Sequence, residues 1–130
     1  MTDRTEKLLP WQWNLYSGNH TARRNLALHV ASVPVFQLGT LCLVAAPFTA
    51  PLLALPGVVA MVGAVAVQGR GHKMESVAPV PFQGPLDVLG RIFAEQWVTF
   101  PRFVLSGGFA RAWRATAPES SGGPTSARAP

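Results

Sequence analysis

The 130-residue chain is 48% hydrophobic and 13% charged, against a charged share of roughly 25% in soluble domains. This composition excludes a disordered chain and disfavours an ordinary soluble domain. The eleven lysines and arginines exceed the six acidic residues by five, but they flank a stretch from residue 25 to residue 69 that contains no Asp, Glu, Lys or Arg. Such an arrangement indicates a membrane protein and no nucleic-acid partner.

The first 20 residues are polar and aromatic, without the apolar core of a secretory signal, so we expect the chain to start on the cytoplasmic side. Thr21 is a good N-cap, and a short helix is predicted over Thr21–Ala31, with Pro34 just beyond its end. Three aromatic residues upstream suit the membrane–water interface: Trp11, Trp13 and Tyr16.

The apolar block divides into residues 33–50 and 52–67, each slightly shorter than the roughly 20 residues that span a bilayer. Pro47, Pro51 and Pro56 lie between and inside them. Two helices joined near Pro47 to Pro51 would form a transmembrane hairpin with a tight turn. A buried helix pair in a soluble protein is disfavoured, because so short a chain has too little other apolar surface to cover it. Basic residues flank both arms and place both ends of the hairpin in the cytoplasm: Arg23, Arg24, Arg70 and Lys73.

Small residues on the second arm allow close helix approach, and they make a homodimer plausible: Gly57, Ala60, Gly63 and Ala64. After a polar link over residues 69–85, apolar residues recur every three or four positions and predict a helix that Pro101 ends or kinks: Leu86, Leu89, Phe93, Trp97 and Phe100. Residues 102–113 are apolar but interrupted by two glycines. This region is either an interfacial amphipathic helix or a re-entrant span.

The predicted fold is therefore all-α, a small multi-pass membrane protein in which a transmembrane hairpin is followed by amphipathic or re-entrant helices. Residues 1–115 are expected to form one membrane-embedded domain. Residues 116–130 have nothing to bury and are expected to form a disordered tail.

All three histidines, His20, His29 and His72, lie at the edges of the apolar block. A hairpin returns His72 to the side where the other two begin, so the three imidazoles can converge at one membrane boundary. His20 can join only if it lies on a turn before Thr21, because nine residues of continuous helix would point it away from His29. Ionisable groups at such a depth are functional candidates by default.

Carboxylates and one amide complete the candidate site. Glu75 lies three residues after His72, Asn25 lies four before His29, and Glu95 is a second carboxylate that could face the site. Three imidazoles and a carboxylate favour Fe(II) or Zn over a thiolate-bound metal, and an open His/carboxylate iron site suits O2 chemistry. The alternative for each histidine is an interfacial cap, and for each carboxylate a solvated or charge-neutralising role.

These residues form a pattern. His20, Asn25 and His29, followed by Pro34, the apolar hairpin and Gly71-His72 with Glu75, resemble the yeast 2-hydroxy fatty acid dioxygenase (Mpo-type) family, which has many short bacterial members. The resemblance covers about residues 10–110. It implies a multi-pass protein of the bacterial inner membrane that binds Fe(II) and uses O2 to shorten 2-hydroxy fatty acids by one carbon.

By the same resemblance, His20, His29 and His72 are the expected iron ligands. Asn25 would orient a ligand or substrate, and Glu75 or Glu95 would supply a carboxylate. A lipid-like substrate would pair its own carboxylate with one basic residue among three candidates: Arg23, Arg24 or Arg70. Two other functions remain open at this point, a b-type haem held by two histidines and a non-enzymatic membrane hairpin.

Overall fold

The computed structural model describes residue 4 and residues 6–116, and this part of the chain is helical without a β-strand. The elements in chain order are α1 (Leu8–Tyr16), a 3-10 turn (Ser17–Asn19), α2 (Arg23–Ala45), two 3-10 turns (Ala46–Phe48 and Pro51–Leu53), α3 (Ala54–His72), α4 (Pro85–Ala94), a π-helical turn (Glu95–Thr99), α5 (Phe100–Leu105) and α6 (Gly108–Ala115). The expectation of an all-α fold is confirmed.

Helices α2 and α3 form the predicted antiparallel hairpin, and the turn lies between Pro47 and Pro51 as the prolines indicated. Its two helices come into close contact near the turn, at Gly39 and Gly57. A Cβ atom added at Gly57 would lie 2.8 Å from the Gly39 carbonyl oxygen, and one at Gly39 would lie 2.7 Å from that of Gly57. Backbone therefore packs directly against backbone here. Gly57 serves the hairpin itself, and the predicted homodimer stays a prediction.

The first helix of the hairpin corrects two expectations. The chain forms one 23-residue helix, Arg23–Ala45, that continues through Pro34 and does not stop before it. Buried side chains on both sides of Pro34, among them His29, Val33 and Phe36, form one continuous face, and their packing outweighs the lost backbone hydrogen bond. The N-cap is Ala22 and not Thr21, and no side chain of the helix itself caps it.

Most apolar side chains of the hairpin point outward. Leu38, Val44, Leu55 and Val62 are each more than 60% exposed, and only 28% and 17% of the most apolar windows of α2 and α3 are buried. A core helix of a soluble protein would be mostly buried. Within the described residues, these are the two helices long and apolar enough to cross a membrane.

Most of the apolar side chains predicted on one face of the C-terminal helix are exposed. Leu86, Leu89 and Trp97, expected on one helix face, lie on the outside, and of that set Phe100 is the buried member. Pro101 neither ends nor visibly interrupts the helical course, because it falls in the first turn of α5, directly after the π turn, where a missing N–H is tolerated. Of the predicted tail, Thr116 closes α6 and the remainder lies outside the described residues.

The interior lies at the open end of the hairpin, where α1, α5 and α6 cover α2. Its apolar core contains Tyr16, Leu26, Val33, Phe100 and Phe103. The buried polar side chains are as numerous as the buried apolar ones: Gln12, His20, Asn25, His29, Ser32, Gln68, Gln96 and Thr99. Because burying polar groups is costly unless they are paired, this concentration marks the part of the fold where a site is expected.

The glycine contact gives a first prediction. Gly57→Ala should lower the free energy of unfolding by about 1–3 kcal/mol, because the new methyl group meets backbone that cannot move aside. Gly63→Ala in the same helix has open space around it and should be neutral or stabilise by up to about 1 kcal/mol. Thermal unfolding in detergent, followed by circular dichroism, measures both. Equal effects would contradict the close approach.

Candidate metal centre

Four side chains from four separate elements meet at the open end of the hairpin. His20 follows the 3-10 turn after α1, His29 lies in α2, His72 ends α3, and Glu95 begins the π turn. One ligand atom from each lies within 4.8 Å of all the others. The predicted convergence of the three histidines is confirmed, and His20 indeed lies on the turn before Thr21.

The separations suit a metal ion. The Nε2 atoms of His20 and His29 are 3.4 Å apart, and Glu95 Oε1 lies 3.5 Å from the first and 3.4 Å from the second. Ligand atoms about 2.0–2.1 Å from a tetrahedral ion are roughly 3.3 Å apart. The three rings stand nearly perpendicular to one another, with centroids 4.7 to 5.0 Å apart.

Backbone hydrogen bonds orient two of these rings. His20 Nδ1 lies 2.9 Å from the Tyr16 carbonyl oxygen, and His29 Nδ1 lies 3.0 Å from that of Asn25. A carbonyl only accepts, so each Nδ1 carries the proton and donates it. In the neutral rings the Nε2 lone pairs then face each other and the Glu95 oxygen. Acceptor atoms so close together repel unless a cation lies between them.

The cation between these atoms could be a proton or a metal ion, and the environment of His72 distinguishes the two. A proton on one imidazole would satisfy the His20–His29–Glu95 contacts, but it leaves His72 Nδ1 buried without a hydrogen-bond partner among the described residues. A metal ion uses all four donors. The residues present therefore fit a metal, and imidazole with carboxylate oxygen is a donor set that suits iron and zinc.

Glu95 is suited to the ionised form that such a centre needs. Its side chain is 15% exposed. Burial raises the pKa of this carboxyl, whereas hydrogen bonds and attraction from His20 and His29 in their protonated form hold it well below its ordinary value. A metal ion among the neutral rings would act on the pKa of Glu95 in the same direction. The π turn matters for this position, because the extra residue of a π turn re-aims the side chains around it, and such turns are frequent at functional sites.

Tyr16 is a member of the site to which the sequence assigned no site role, although it opens the string from Tyr16 to His20 that carries the family resemblance. Its ring stacks on His20 with 3.9 Å between centroids, and its hydroxyl donates a 3.0 Å hydrogen bond to Glu95 Oε1. Burial, followed by the charge of Glu95, raises the pKa of Tyr16 well above its ordinary value, so the phenol keeps its proton. The one available signal was its spacing, four residues before His20.

Glu75 and Asn25 lie beside the ligand cluster, not in it. The Glu75 carboxylate accepts hydrogen bonds from the backbone N–H groups of Thr21 and Ala22 at 3.0–3.1 Å and from the Thr21 hydroxyl at 2.7 Å. Asn25 Nδ2 adds a 2.6 Å bond. We call this set, Thr21, Ala22, Asn25 and Glu75, the Glu75 clasp. Glu75, which follows the C-terminal end of α3, thus caps the N-terminal end of α2. This contact holds His29 and His72 at the same height along the hairpin.

Gly71 makes room for the clasp. A Cβ atom at this position would overlap the Asn25 side-chain amide, so the glycine before His72 has a steric reason. The pKa of Glu75 reflects the same contacts. Partial burial raises it, but the hydrogen bonds from Asn25, Thr21 and Ala22 prevail and lower it below its ordinary value.

A buried layer of glutamines supports the π turn, and no local sequence pattern predicted this layer. Gln68 and Gln96 exchange side-chain hydrogen bonds of 2.7 and 3.0 Å, and Gln68 also donates to Ser32 Oγ at 2.9 Å. In the π turn the Phe100 N–H donates to the Glu95 carbonyl and not to that of Gln96. The Gln96 carbonyl instead accepts a 2.8 Å hydrogen bond from Gln37 Nε2. This layer fixes the backbone that carries Glu95.

Two hollows adjoin the centre. A cavity of about 50 Å³ is lined by His20, His72, Tyr16, Pro79 and Arg91 among others. A cleft of about 720 Å³ opens on the other side of Tyr16, between α1 and α6. The three arginines proposed from the sequence as carboxylate partners line neither: Arg23 stacks on Trp113 at 4.4 Å, and Arg24 and Arg70 are exposed.

No protein-family model, curated protein or solved structure matched the chain. The resemblance to the hydroxy fatty acid dioxygenases therefore stays a prediction, and the functional argument depends on the geometry of the site.

The Tyr16 hydrogen bond gives a second prediction. Tyr16→Phe keeps the ring stacked on His20 but removes the donor to Glu95, so metal affinity should fall roughly 10- to 100-fold. Competition with a chromophoric chelator measures it. Ser17→Ala, at the exposed neighbouring position, should leave the affinity unchanged. Wild-type affinity in Tyr16→Phe would show that the phenol does not act on the centre.

The Glu75 clasp gives a third prediction. Folding lowers the pKa of Glu75 below its ordinary value of 4.5. The ionised carboxylate therefore stabilises the folded protein at a pH above 4.5, and this stabilisation is lost as the pH falls through the pKa of the folded state. At pH 7, metal-free Glu75→Gln should be less stable than metal-free wild type by about 1–2 kcal/mol, with partial exposure discounted. Below pH 4.5 the difference should shrink. Chemical unfolding across this range tests it, and a constant difference would be the wrong result.

Proposed function

We propose that this protein is a membrane-embedded, Fe(II)-dependent dioxygenase that acts on 2-hydroxy fatty acids. The observation that carries the proposal is the convergence of His20, His29, His72 and Glu95 within 4.8 Å. These four include the three histidines through which the sequence resembles that family. Iron is the proposed metal because imidazole and carboxylate donors suit it and an open coordination position supports O2 chemistry.

When bound, iron would supply O2 activation and a coordination position for the hydroxy acid. The chain's own residues have separate tasks. His20 and His29 keep their Nδ1 protons on backbone carbonyls and thus keep Nε2 free to ligate. Glu95 would balance one positive charge of the iron ion, and the Tyr16 hydroxyl holds the Glu95 Oε1 oxygen in place.

Aromatic side chains limit access of water to this end of the interior. Phe103 lies 6.1 Å from the His20 ring and Phe100 lies 6.0 Å from the His29 ring, and both phenylalanines are buried. Exclusion of water strengthens the electrostatic contacts of the centre and protects reactive species from side reactions.

The surface of the hairpin supports a membrane location. Apolar side chains cover the outside of α2 and α3, while the basic residues Arg23, Arg70 and Lys73 lie at the same end as the metal centre. By the positive-inside rule we propose that this end, and both termini with it, face the cytoplasm. A substrate with an acyl tail would reach the centre from the bilayer.

The geometry favours this function over the two alternatives. A b-type haem needs room for its macrocycle between two axial nitrogens, whereas the His20 and His29 Nε2 atoms are 3.4 Å apart and the adjoining cavity is about 50 Å³. A purely structural hairpin gives no reason for three buried or half-buried imidazoles around one carboxylate.

The fourth prediction tests the metal first. Protein purified in detergent and reconstituted with Fe(II) without oxygen should hold about one iron per chain by elemental analysis. His72→Ala and Glu95→Gln should each lower the iron content severely. Glu6→Gln is the matched carboxylate control, because Glu6 is exposed and lies outside the ligand cluster, and this variant should keep its iron. Absence of stoichiometric metal in the wild type would end the proposal.

The reaction is tested separately on the iron-loaded protein. Oxygen consumption should depend on a 2-hydroxy acid and should yield the acid one carbon shorter, across a panel of chain lengths. Glu95→Gln should abolish turnover. A protein that binds iron but consumes no oxygen with any member of the panel would retain the metal centre and lose the assigned substrate class.

A further inference from the structure

Arg91 lies beside the metal centre, whereas the arginines that the sequence suggested as carboxylate partners do not. It lines the cavity of about 50 Å³ together with His20 and His72, and its side chain is 11% exposed. A guanidinium is always charged, and burying it costs free energy unless its donors are paired. The question is what pairs with it.

Hydrogen bonds within the chain satisfy only some of the N–H donors of Arg91. One nitrogen, Nη1, donates to the Pro81 carbonyl at 3.2 Å, and the guanidinium lies over the rings of Phe82 and Trp11 at 4.4 and 5.0 Å. These contacts position the guanidinium. Its Nε is buried and has no hydrogen-bond partner among the described residues.

The nearby charges leave Arg91 under-compensated. Its ion-pair partner, Asp87, lies 3.5 Å away, but the same carboxylate pairs more closely with Arg4, at 2.8 Å. Two guanidinium groups therefore share one carboxylate. A divalent ion on three neutral imidazoles and Glu95 would add a further net positive charge on the opposite side of the cavity.

The cavity also limits what can enter. At about 10–15 Å³ for one water-sized probe, a cavity of about 50 Å³ admits a group of a few heavy atoms, not an acyl chain. A carboxylate is small, planar and singly charged, and its two oxygens match the fork of a guanidinium. The apolar residues Leu15 and Val80 line the same cavity and suit the first carbons of an apolar stem.

We propose that Arg91 binds the carboxylate of the substrate in this cavity, next to the metal centre, and so selects acids over their uncharged analogues. This inference rests on the proposed function, since it places the carboxylate beside the metal. It assigns the cavity to the head of the ligand and requires the rest of the molecule to extend out of it.

The test uses the protein loaded with Co(II), which reports ligand binding through its visible absorption without turnover. The probes are 2-hydroxyoctanoate and its uncharged match, 2-hydroxyoctanamide. Arg91→Met keeps an apolar stem between Trp11 and Phe82 but removes the charge. We expect it to weaken binding of the acid roughly 10- to 100-fold and to change binding of the amide less than about 3-fold. Arg91→Lys should fall between the two proteins.

Matched arginines serve as controls. Arg102 is exposed and stacks on Trp13 at 4.0 Å, so Arg102→Met removes a similar stack away from the cavity and should leave both affinities unchanged. Arg111 lines the large cleft. If Arg111→Met lowers acid binding and Arg91→Met does not, the carboxylate site is the cleft and the inference is wrong.

The outcomes separate this inference from the function on which it rests. A wild-type protein without Co(II) bands overturns the metal centre and the inference together. Normal bands with no 2-hydroxyoctanoate binding in the wild type overturn the proposed substrate class and the inference together but leave the metal centre. Equal losses for acid and amide in Arg91→Met overturn the role of Arg91 alone. A purely structural role would lower the melting temperature of Arg91→Met without changing the ratio of the two affinities.

Discussion

A single carboxylate at the open end of the hairpin fixes the relative positions of α2 and α3. Glu75 bonds to the N–H groups that precede α2 and to the Asn25 amide, so the start of one helix and the end of the other are held at one level. A negative charge is also favourable at a helix N-terminus. His29 lies nearly two turns into α2 and His72 ends α3, and their meeting depends on this alignment. At the other end, the Gly39–Gly57 contact sets how closely the helices approach.

The molecule is apolar outside and polar inside at this end. In a soluble protein the hydrophobic effect would drive Leu38, Val44 and Val62 inward, yet they are exposed, while four glutamines and three imidazoles are buried or half-buried. In the proposed membrane location the outside would need no cover, and unpaired polar groups would be the costly ones. Hydrogen bonds between polar side chains and backbone are accordingly prominent in the interior, as where Gln37 donates to the carbonyl that the π turn leaves free.

The sequence was informative wherever one simple physical rule decided the outcome. The uncharged block and its central prolines predicted the hairpin, and the hairpin then predicted that His20, His29 and His72 would meet. It failed where tertiary contacts override local preference. Pro34 suggested a helix end but lies inside α2, and Thr21 suggested a cap whose place is taken by Glu75, 54 positions away. The π turn, the glutamine layer and the Tyr16–Glu95 bond depend on packing between distant elements, so no local pattern announced them.

The two carboxylates that the sequence could not tell apart have opposite environments. Glu75 is surrounded by backbone and amide donors, which stabilise its charge and leave it no lone pairs directed at the histidines. Among the described residues Glu95 has one conventional donor, Tyr16, and otherwise faces the Nε2 atoms of His20 and His29, an arrangement that suits a cation among those nitrogens. Glu75 therefore contributes to stability, whereas the proposal gives Glu95 to the metal, and the π turn at Glu95 is of a kind that is frequent at functional sites.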